Sequence, residues 1–359
     1  MEIVVKNLLF EYDRHFSLDI SNFTVRNGEI VSLMGPNGAG KTTFLLLLSL
    51  QIKPRAGEIY YDNKLPACSR DILNLRRRIS AVFQKDYLFN GTVFDNVAYP
   101  LKIRGFGNSE IKRKVCNYLE LFGVGHLAGK RVRELSSGQS KRVCLARSLV
   151  YSPEVIFFDE PTSLIDFGTK EEILSDLKKA IGHVKASAVF VTQDKTEAFL
   201  MSDRLVFMNG GRILEEGTPE DISFRPMSVE AATFFGKDNL LSGQVAEKEK
   251  DLIKIRIKNQ VVFGIGDADP GDEVLVMLSP ESVVLSKSID ENSQSARNVI
   301  YCDVLDIKDV GSIVQVELLC GFRLRASITR ISAEMLDLRP GGRVTASFKA
   351  SAVHVIKRG

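Results

Sequence analysis

The chain has 359 residues, 44% of them hydrophobic and 26% charged, with a net charge of +3. That length exceeds what one hydrophobic core usually organises, so two domains are expected, and the ordinary composition excludes a disordered or fibrous chain. The near-neutral balance leaves no polybasic footprint, so nucleic acid is not an expected partner.

No apolar run approaches the roughly 20 residues needed to cross a bilayer. The longest purely aliphatic or aromatic run is Phe44 to Leu48. The start, Met1-Glu2, lacks a basic segment followed by an apolar core, so no secretory leader is expected and the chain is expected in the cytosol. Cys68, Cys116, Cys144, Cys302 and Cys320 are widely spaced and never form C-x-x-C. They read as small buried residues in a reducing compartment, not as a zinc site or disulfide framework.

In chain order, Glu29 to Met34 reads as a strand, followed by Gly35-Pro36-Asn37-Gly38-Ala39-Gly40-Lys41-Thr42-Thr43 and a helix over Phe44 to Leu50. A glycine-rich turn between strand and helix is the context of a phosphate cradle. Glycines let backbone N–H groups wrap phosphates, the helix N-terminus adds positive potential, Lys41 reaches the β and γ phosphates, and Thr42 can ligate magnesium. Val155 to Phe158 is an apolar strand ending in Asp159 and Glu160. Two acids at such a strand end fit a magnesium-binding Asp159 and a general base, Glu160, that polarises the attacking water. Lys170 to Ile181 carries apolar residues at helical spacing, and Ala188 to Thr192 reads as another strand. The alternation predicts an α/β domain over residues 1–235.

After a linker at 236–242 the texture changes, and 243–359 is expected to be β-rich. Leu252 to Lys258 and Ser312 to Leu318 alternate with period two, the second placing Val314, Val316 and Leu318 inward. Pro270-Gly271 through Val283 aligns without a gap with Pro340-Gly341 through Val353, which predicts two similar β units.

Leu135-Ser136-Ser137-Gly138-Gln139 resembles the signature of ABC-transporter ATPases. The phosphate cradle, Gln84, Asp159-Glu160 and Ser163-Leu164-Ile165-Asp166 complete that family's set in order and approximate spacing. The resemblance covers residues 1 to 235 and implies a P-loop NTPase fold with a helical subdomain at about 85–150. It further implies ATP and Mg2+ as ligands and a head-to-tail dimer that sandwiches each ATP between one P-loop and the other subunit's signature. With one P-loop and one signature, this chain then needs a homodimer or a close paralogue. The resemblance places Thr42, Gln84 and Asp159 on magnesium, and Tyr12 on adenine, with Phe10 and Phe16 as nearby alternatives. The signature residues Ser136, Ser137, Gly138 and Gln139 are expected to complete the nucleotide site from across the dimer, and Asp166 is also expected among the nucleotide-binding residues. Gln84 is also expected to sense a membrane permease, and the apolar stretch after it, including Tyr87, Leu88, Phe89, Val93, Phe94 and Tyr99, divides between core and a permease groove.

One departure stands out. Where the family has Val-Thr-His-Asp, this chain reads Val191-Thr192-Gln193-Asp194. Glutamine can donate a hydrogen bond to the γ-phosphate but cannot carry charge, so hydrolysis by Glu160 and Gln193 is expected to be slow but real. The C-terminal segment resembles the all-β, OB-like TOBE or Mop modules of molybdate and tungstate importer ATPases. That resemblance makes Ser295, Arg297, Lys349 and Ser351 the expected oxyanion donors. It implies a subunit at the cytoplasmic face of a membrane, working with a permease and, indirectly, an extracytoplasmic binding protein, with possible feedback sensing of molybdate or tungstate. Sulfate, ferric iron, sugar or polyamine remain alternative cargoes, and a weakly hydrolysing, oxyanion-responsive regulator remains an alternative role.

Overall fold

The computed structural model describes residues 1–12, 16–163, 165, 167–287 and 296–357. Two compact units divide the chain between Ile222 and Ser223. The boundary expected at 235 therefore falls earlier, within α8 (Pro219–Phe224). Residues expected as linker are already strand, since β10 (Asn239–Glu249) pairs from Asn239 onward with β13 (Glu273–Leu278).

The first unit is layered around a six-stranded sheet of order β5-β6-β7-β3-β8-β9. Its parallel members are β3 (Ile30–Met34), β5 (Ile79–Val82), β6 (Val155–Asp159), β7 (Ser187–Val191) and β8 (Arg204–Asn209), and β9 (Arg212–Gly217) closes the edge antiparallel. β6 and β7 are buried throughout and almost wholly apolar because both faces are covered. Ile156, Phe158, Ala188 and Phe190 enter one core, and Val155, Phe157, Val189 and Val191 enter the other. The second of these cores is shared with an antiparallel sheet of β1 (Ile3–Glu11), β2 (Ser17–Val25) and β4 (Ala56–Tyr61), and with α1 (Lys41–Leu48). The first is shared with α3 (Val93–Lys102), α4 (Asn108–Leu121) and α5 (Ser137–Leu149), which form the expected helical subdomain, and with α6 (Phe167–Val184). The remaining helices are the polar α2 (Ser69–Arg78) and the short α7 (Lys195–Met201). Among the described residues, no helix is long and apolar enough to cross a membrane.

The second unit is built from two repeats that exchange strands. The first comprises β10, β11 (Leu252–Ile257), β12 (Gln260–Ile265), β13 and β14 (Val284–Ser286). The second comprises β15 (Asn298–Val310), β16 (Ile313–Leu319), β17 (Arg323–Thr329), β18 (Arg343–Phe348) and β19 (His354–Lys357). As the sequence repeat predicts, β13, the turn Pro280–Ser282 and β14 recur 70 positions later as β18, Ala350–Ala352 and β19. The last strands trade places: β19 closes the barrel β10-β11-β12-β19-β13, while β14 joins the sheet β14-β18-β15-β16-β17.

Two asparagines clasp the exchange. Asn239, buried at the start of β10, accepts from Arg325 N at 2.6 Å and donates to Arg325 O at 3.0 Å. Asn298, buried at the start of β15, does the same to Phe263 at 2.7 and 2.9 Å. Each carboxamide imitates a peptide group and satisfies backbone of the other repeat. α9 (Val229–Phe234) buries Ala232 with Leu275 and Met277, and α10 (Arg330–Met335) follows β17.

Of the five cysteines, Cys144, Cys302 and Cys320 are buried as expected, but Cys68 and Cys116 are exposed. Cys116 lies off the buried stripe of α4, which runs through Ile111, Val115, Tyr118 and Leu119.

Candidate functional site

Strands β5, β6, β7 and β3 are neighbours and parallel, so their C-terminal ends share one edge, where sheets of this kind bind ligands. Gln84 lies just past β5, Glu160 past β6, Gln193 past β7 and Gly35 past β3. Residues scattered over the sequence are thereby collected by topology alone.

The loop between β3 and α1 depends on backbone that side chains disfavour. Gly35 has φ 148°, and a Cβ there would stand 2.0 Å from the Met208 carbonyl oxygen. Gly40, at φ 96°, caps α1 without any side-chain hydrogen bond, so no side chain competes for the first-turn N–H groups. Ala39 N donates to Pro36 O at 3.2 Å and tightens the turn. Asn37, Gly38, Ala39, Gly40, Lys41, Thr42 and Thr43 line a cleft of about 270 Å³ together with Tyr12, Phe16, Glu160 and Val191. Tyr12 is 59% exposed at its rim, edge-on to Phe10 at 4.8 Å between ring centres, with Phe16 at 6.3 Å.

Lys41 is buried, and its ammonium donates to the carbonyls of Gly35 at 2.7 Å and Pro36 at 2.9 Å. Burial pushes its pKa down, and the charges of Glu160 and Asp159 oppose that shift. Thr42 Oγ1 donates to Asp159 Oδ1 at 3.1 Å. Burial pushes the Asp159 carboxyl up, a shift that Glu160 adds to and that Thr42 and Lys41 oppose. The Thr42 hydroxyl and the Asp159 carboxylate are thus two hard oxygen donors in contact, with the side-chain amide of Gln84 one carboxylate away, a donor set that suits Mg2+.

Glu160 sits in left-handed backbone at φ 46°, uncommon for a residue with a side chain and found where a site demands it. Its N–H donates to Val191 O at 2.9 Å, tying it to the end of β7. Two carboxamides bracket its carboxylate: Gln84 Nε2 donates to Oε2 at 3.1 Å and Gln193 Nε2 to Oε1 at 2.7 Å. Gln193 Nε2 also donates to Asn37 Oδ1 at 2.9 Å, which links the β7 loop to the phosphate loop.

Behind these groups lies a polar cluster that the sequence reading missed. Buried Glu197 on α7 accepts from the hydroxyls of Thr162 and Thr192, and pairs with Lys170 Nζ at 2.6 Å. Lys170 also contacts Asp194 at 2.6 Å. The loops after β6 and β7 and the helix α6 are therefore held by one carboxylate and one ammonium. The available signal was Glu197-Ala198 followed by Met201, a carboxylate on the apolar stripe of a short helix.

The signature stands elsewhere. Ser136 caps α5, accepting from Gln139 N at 3.3 Å, while Gln139 Oε1 accepts from Ser136 N at 3.1 Å. Ser137 and Gly138 form the first turn. None of the four lines the phosphate cleft. Asp166 and Ser295 lie outside the described residues. A second groove, of about 410 Å³, is walled by Tyr87, Phe89 and Tyr99, whereas Val93 is buried core and Leu88 and Phe94 pack against that core. In the second unit, the pairing Asn298↔Phe348 sets Arg297 opposite Lys349 just beyond the paired residues. Ser351 follows in the next turn, and all three are exposed.

Comparison with known proteins gives these features a context. The ABC transporter family profile matches residues 18–163 and the TOBE domain profile matches 294–355. A molybdate/tungstate import ATP-binding protein of Pyrococcus horikoshii is 36% identical, covering 95% of this chain and 96% of its own. A spermidine/putrescine import ATP-binding protein of Borreliella afzelii is 38% identical over 87% of this chain and 90% of its own. A dimeric ATP-binding cassette in a post-hydrolysis state with ADP and Pi superposes with TM-score 0.55 at 29% identity, covering 60% of this chain and 98% of that one. The chain belongs to the ATP-binding subunits of ABC importers, enzymes that couple ATP hydrolysis to uptake, and it carries a TOBE domain at its C-terminal end.

Proposed function

We propose that this subunit hydrolyses MgATP as a head-to-tail homodimer to drive uptake of a tetrahedral oxyanion, molybdate or tungstate, through a membrane permease. The observation that carries the hydrolytic assignment is the Glu160 carboxylate, bracketed at 2.7 and 3.1 Å by Gln193 and Gln84 beside the phosphate loop. Glu160 orients the attacking water and accepts its proton, and Gln193 fixes the carboxylate while offering a donor toward the γ-phosphate. Gly35 to Thr43 cradle the phosphates, Lys41 supplies charge, and Tyr12 stacks on adenine. Thr42, Asp159 and Gln84 hold Mg2+, which when bound neutralises charge developing on the β and γ phosphates. The position of Ser136, Ser137, Gly138 and Gln139 off the cleft supports their reaching the ATP of a second copy, with Asp166 beside them. Glutamine in place of histidine makes turnover slow.

The apolar groove of Tyr87, Phe89 and Tyr99 next to Gln84 is the docking surface for the permease, which brings this subunit to the cytoplasmic face of the membrane and, through the permease, to an extracytoplasmic binding protein. Arg297, Lys349 and Ser351, with Ser295, take the oxyanion in feedback sensing. The equivalent register in the first repeat sets Asp238 opposite Ser279, beyond Asn239↔Leu278, so only the second repeat offers a cationic pair. Near full-length similarity to a molybdate/tungstate importer subunit supports this cargo, and the polyamine relative supports the second reading. Calorimetry on the full chain separates them: tungstate and molybdate heats with none from spermidine support the first, and the reverse supports the second. Loss of phosphate release in Glu160→Gln with ATP binding retained tests the hydrolytic assignment, and an unchanged rate overturns it.

A further inference from the structure

The second repeat buries two thiols side by side. β15 and β16 are antiparallel, and their register ends at Asp303↔Leu319. One residue further along both strands, Cys302 meets Cys320. Each is 3% exposed, and both belong to the core shared by the two repeats. The alternation of the strands turns both inward, since the neighbouring pair, Asp303 and Leu319, is exposed. Residues directly opposed in an antiparallel pair have Cα atoms about 4.5–5.5 Å apart, inside the range a disulfide spans. Both thiols are free, and each contacts a backbone carbonyl at 3.5 Å: Cys302 that of Ile300, Cys320 that of Phe322.

We propose that Cys302 and Cys320 form a modification site, a cross-strand dithiol that a small peroxide converts reversibly to a disulfide. The two neighbouring sulfurs drive their acidities apart: Cys320 and burial hold Cys302 far above the ordinary thiol range, while Cys302 holds Cys320 below it. One sulfur acts as the nucleophile and the other resolves. The first thiolate attacks one peroxide oxygen, the O–O bond breaks, and a sulfenic acid and hydroxide result, the hydroxide being neutralised by the proton that thiol gave up. The second sulfur then displaces the sulfenic hydroxyl, which leaves as water with the second thiol's proton. In total, two thiols and one hydrogen peroxide give one disulfide and two waters. One feature grants a small oxidant entry: Cys302 lines a surface groove of about 480 Å³ with Tyr301 and Arg343. A bulky alkylating reagent finds neither thiol in the folded chain.

The test uses the full chain carrying Cys68→Ser and Cys116→Ser, which removes the two exposed thiols and leaves buried Cys144 as an internal reference. After hydrogen peroxide, denaturation and alkylation, the expected result is a loss of two hydrogens in the intact mass and alkylation at Cys144 alone. A peptide map then joins the Cys302 and Cys320 peptides, and dithiothreitol separates them. Added Cys302→Ser abolishes the link. Alkylation of both Cys302 and Cys320 after peroxide, or a link to Cys144, overturns the proposal. If the chain carrying Cys302→Ser fails to fold, the peptide map decides the matter without it.

Discussion

Replacing Gln193 by Leu isolates the carboxamide that the family's histidine would otherwise occupy. The side chain is exposed, so folding is expected to be unaffected, but two bonds vanish: 2.7 Å to Glu160 Oε1 and 2.9 Å to Asn37 Oδ1. A hydrogen bond to a charged group contributes about 1.5–3 kcal/mol, and loss of one donor acting in the transition state costs about 10²- to 10³-fold in rate. Leucine is therefore expected to lower kcat by about 10²-fold or more, while ATP affinity changes less than about threefold because Tyr12 and Lys41 are untouched and the phosphate loop loses one bond, at Asn37. Steady-state phosphate release at saturating MgATP gives kcat, and a fluorescent nucleotide gives affinity. Gln193→His is expected to match or exceed wild type and to add a pH dependence near the imidazole pKa of about 6.5. A leucine variant within threefold of wild-type kcat would refute the role given to Gln193 and leave the carboxylate held by Gln84 alone.

Three further outcomes follow from the same geometry. Glu197→Gln leaves half-buried Lys170 with Asp194 as its one ion-pair partner among the described residues; breaking a fully buried pair costs about 3–5 kcal/mol, so denaturant melts of the first unit are expected to lose about 2–3 kcal/mol. Asn298→Ala strips Phe263 of both backbone partners and is expected to cost about 2–4 kcal/mol in the second unit, with Asn239→Ala close behind through Arg325, read from melting midpoints. Burial, with Lys237 and Arg225 near, pushes the His354 pKa down to about 4, and its Nε2 is buried without a hydrogen-bond partner. The unfolded chain, with a histidine pKa of about 6.5, binds more protons in the window below that value. Stability of the second unit is then complete above about pH 6.5 and falls by about 1–2 kcal/mol, discounted for partial exposure, as pH drops toward 4. His354→Gln is expected to flatten that slope, and a stability independent of pH across this window would contradict it.

The phosphate loop was legible because its residues are contiguous and their chemistry is local. The apolar runs at Val155 and Ala188 were equally plain, since strands buried on both faces carry no polar alternation. Three features depended on tertiary choice and left little local trace. The domain boundary moved to Ser223 because the short α9 packs Ala232 with Leu275 and Met277 of the second unit. The repeat was visible in its Pro-Gly turns, yet nothing in either copy says that β14 and β19 will trade partners. The Glu197 cluster needed two threonines and a lysine from three other segments, and no single stretch shows that convergence. Cys116 was misread for a simpler reason: its exposure follows from helical spacing against Val115 and Leu119, which composition alone does not reveal.

The exchanged strands also dictate when the second unit can be finished during synthesis. The barrel that begins at Asn239 is closed by His354–Lys357, so its first three strands must wait for nearly the whole unit to be made. Pairing β13 to β19 closes a long loop, the kind of non-local contact that slows folding. While the ribosome still holds the C-terminal segment, the β13 edge lacks its partner and offers unpaired backbone to any strand nearby. A stop shortly after Ser286 would release a barrel missing one stave, not a smaller stable domain. The two repeats therefore constitute one folding event, committed only when β19 leaves the exit tunnel.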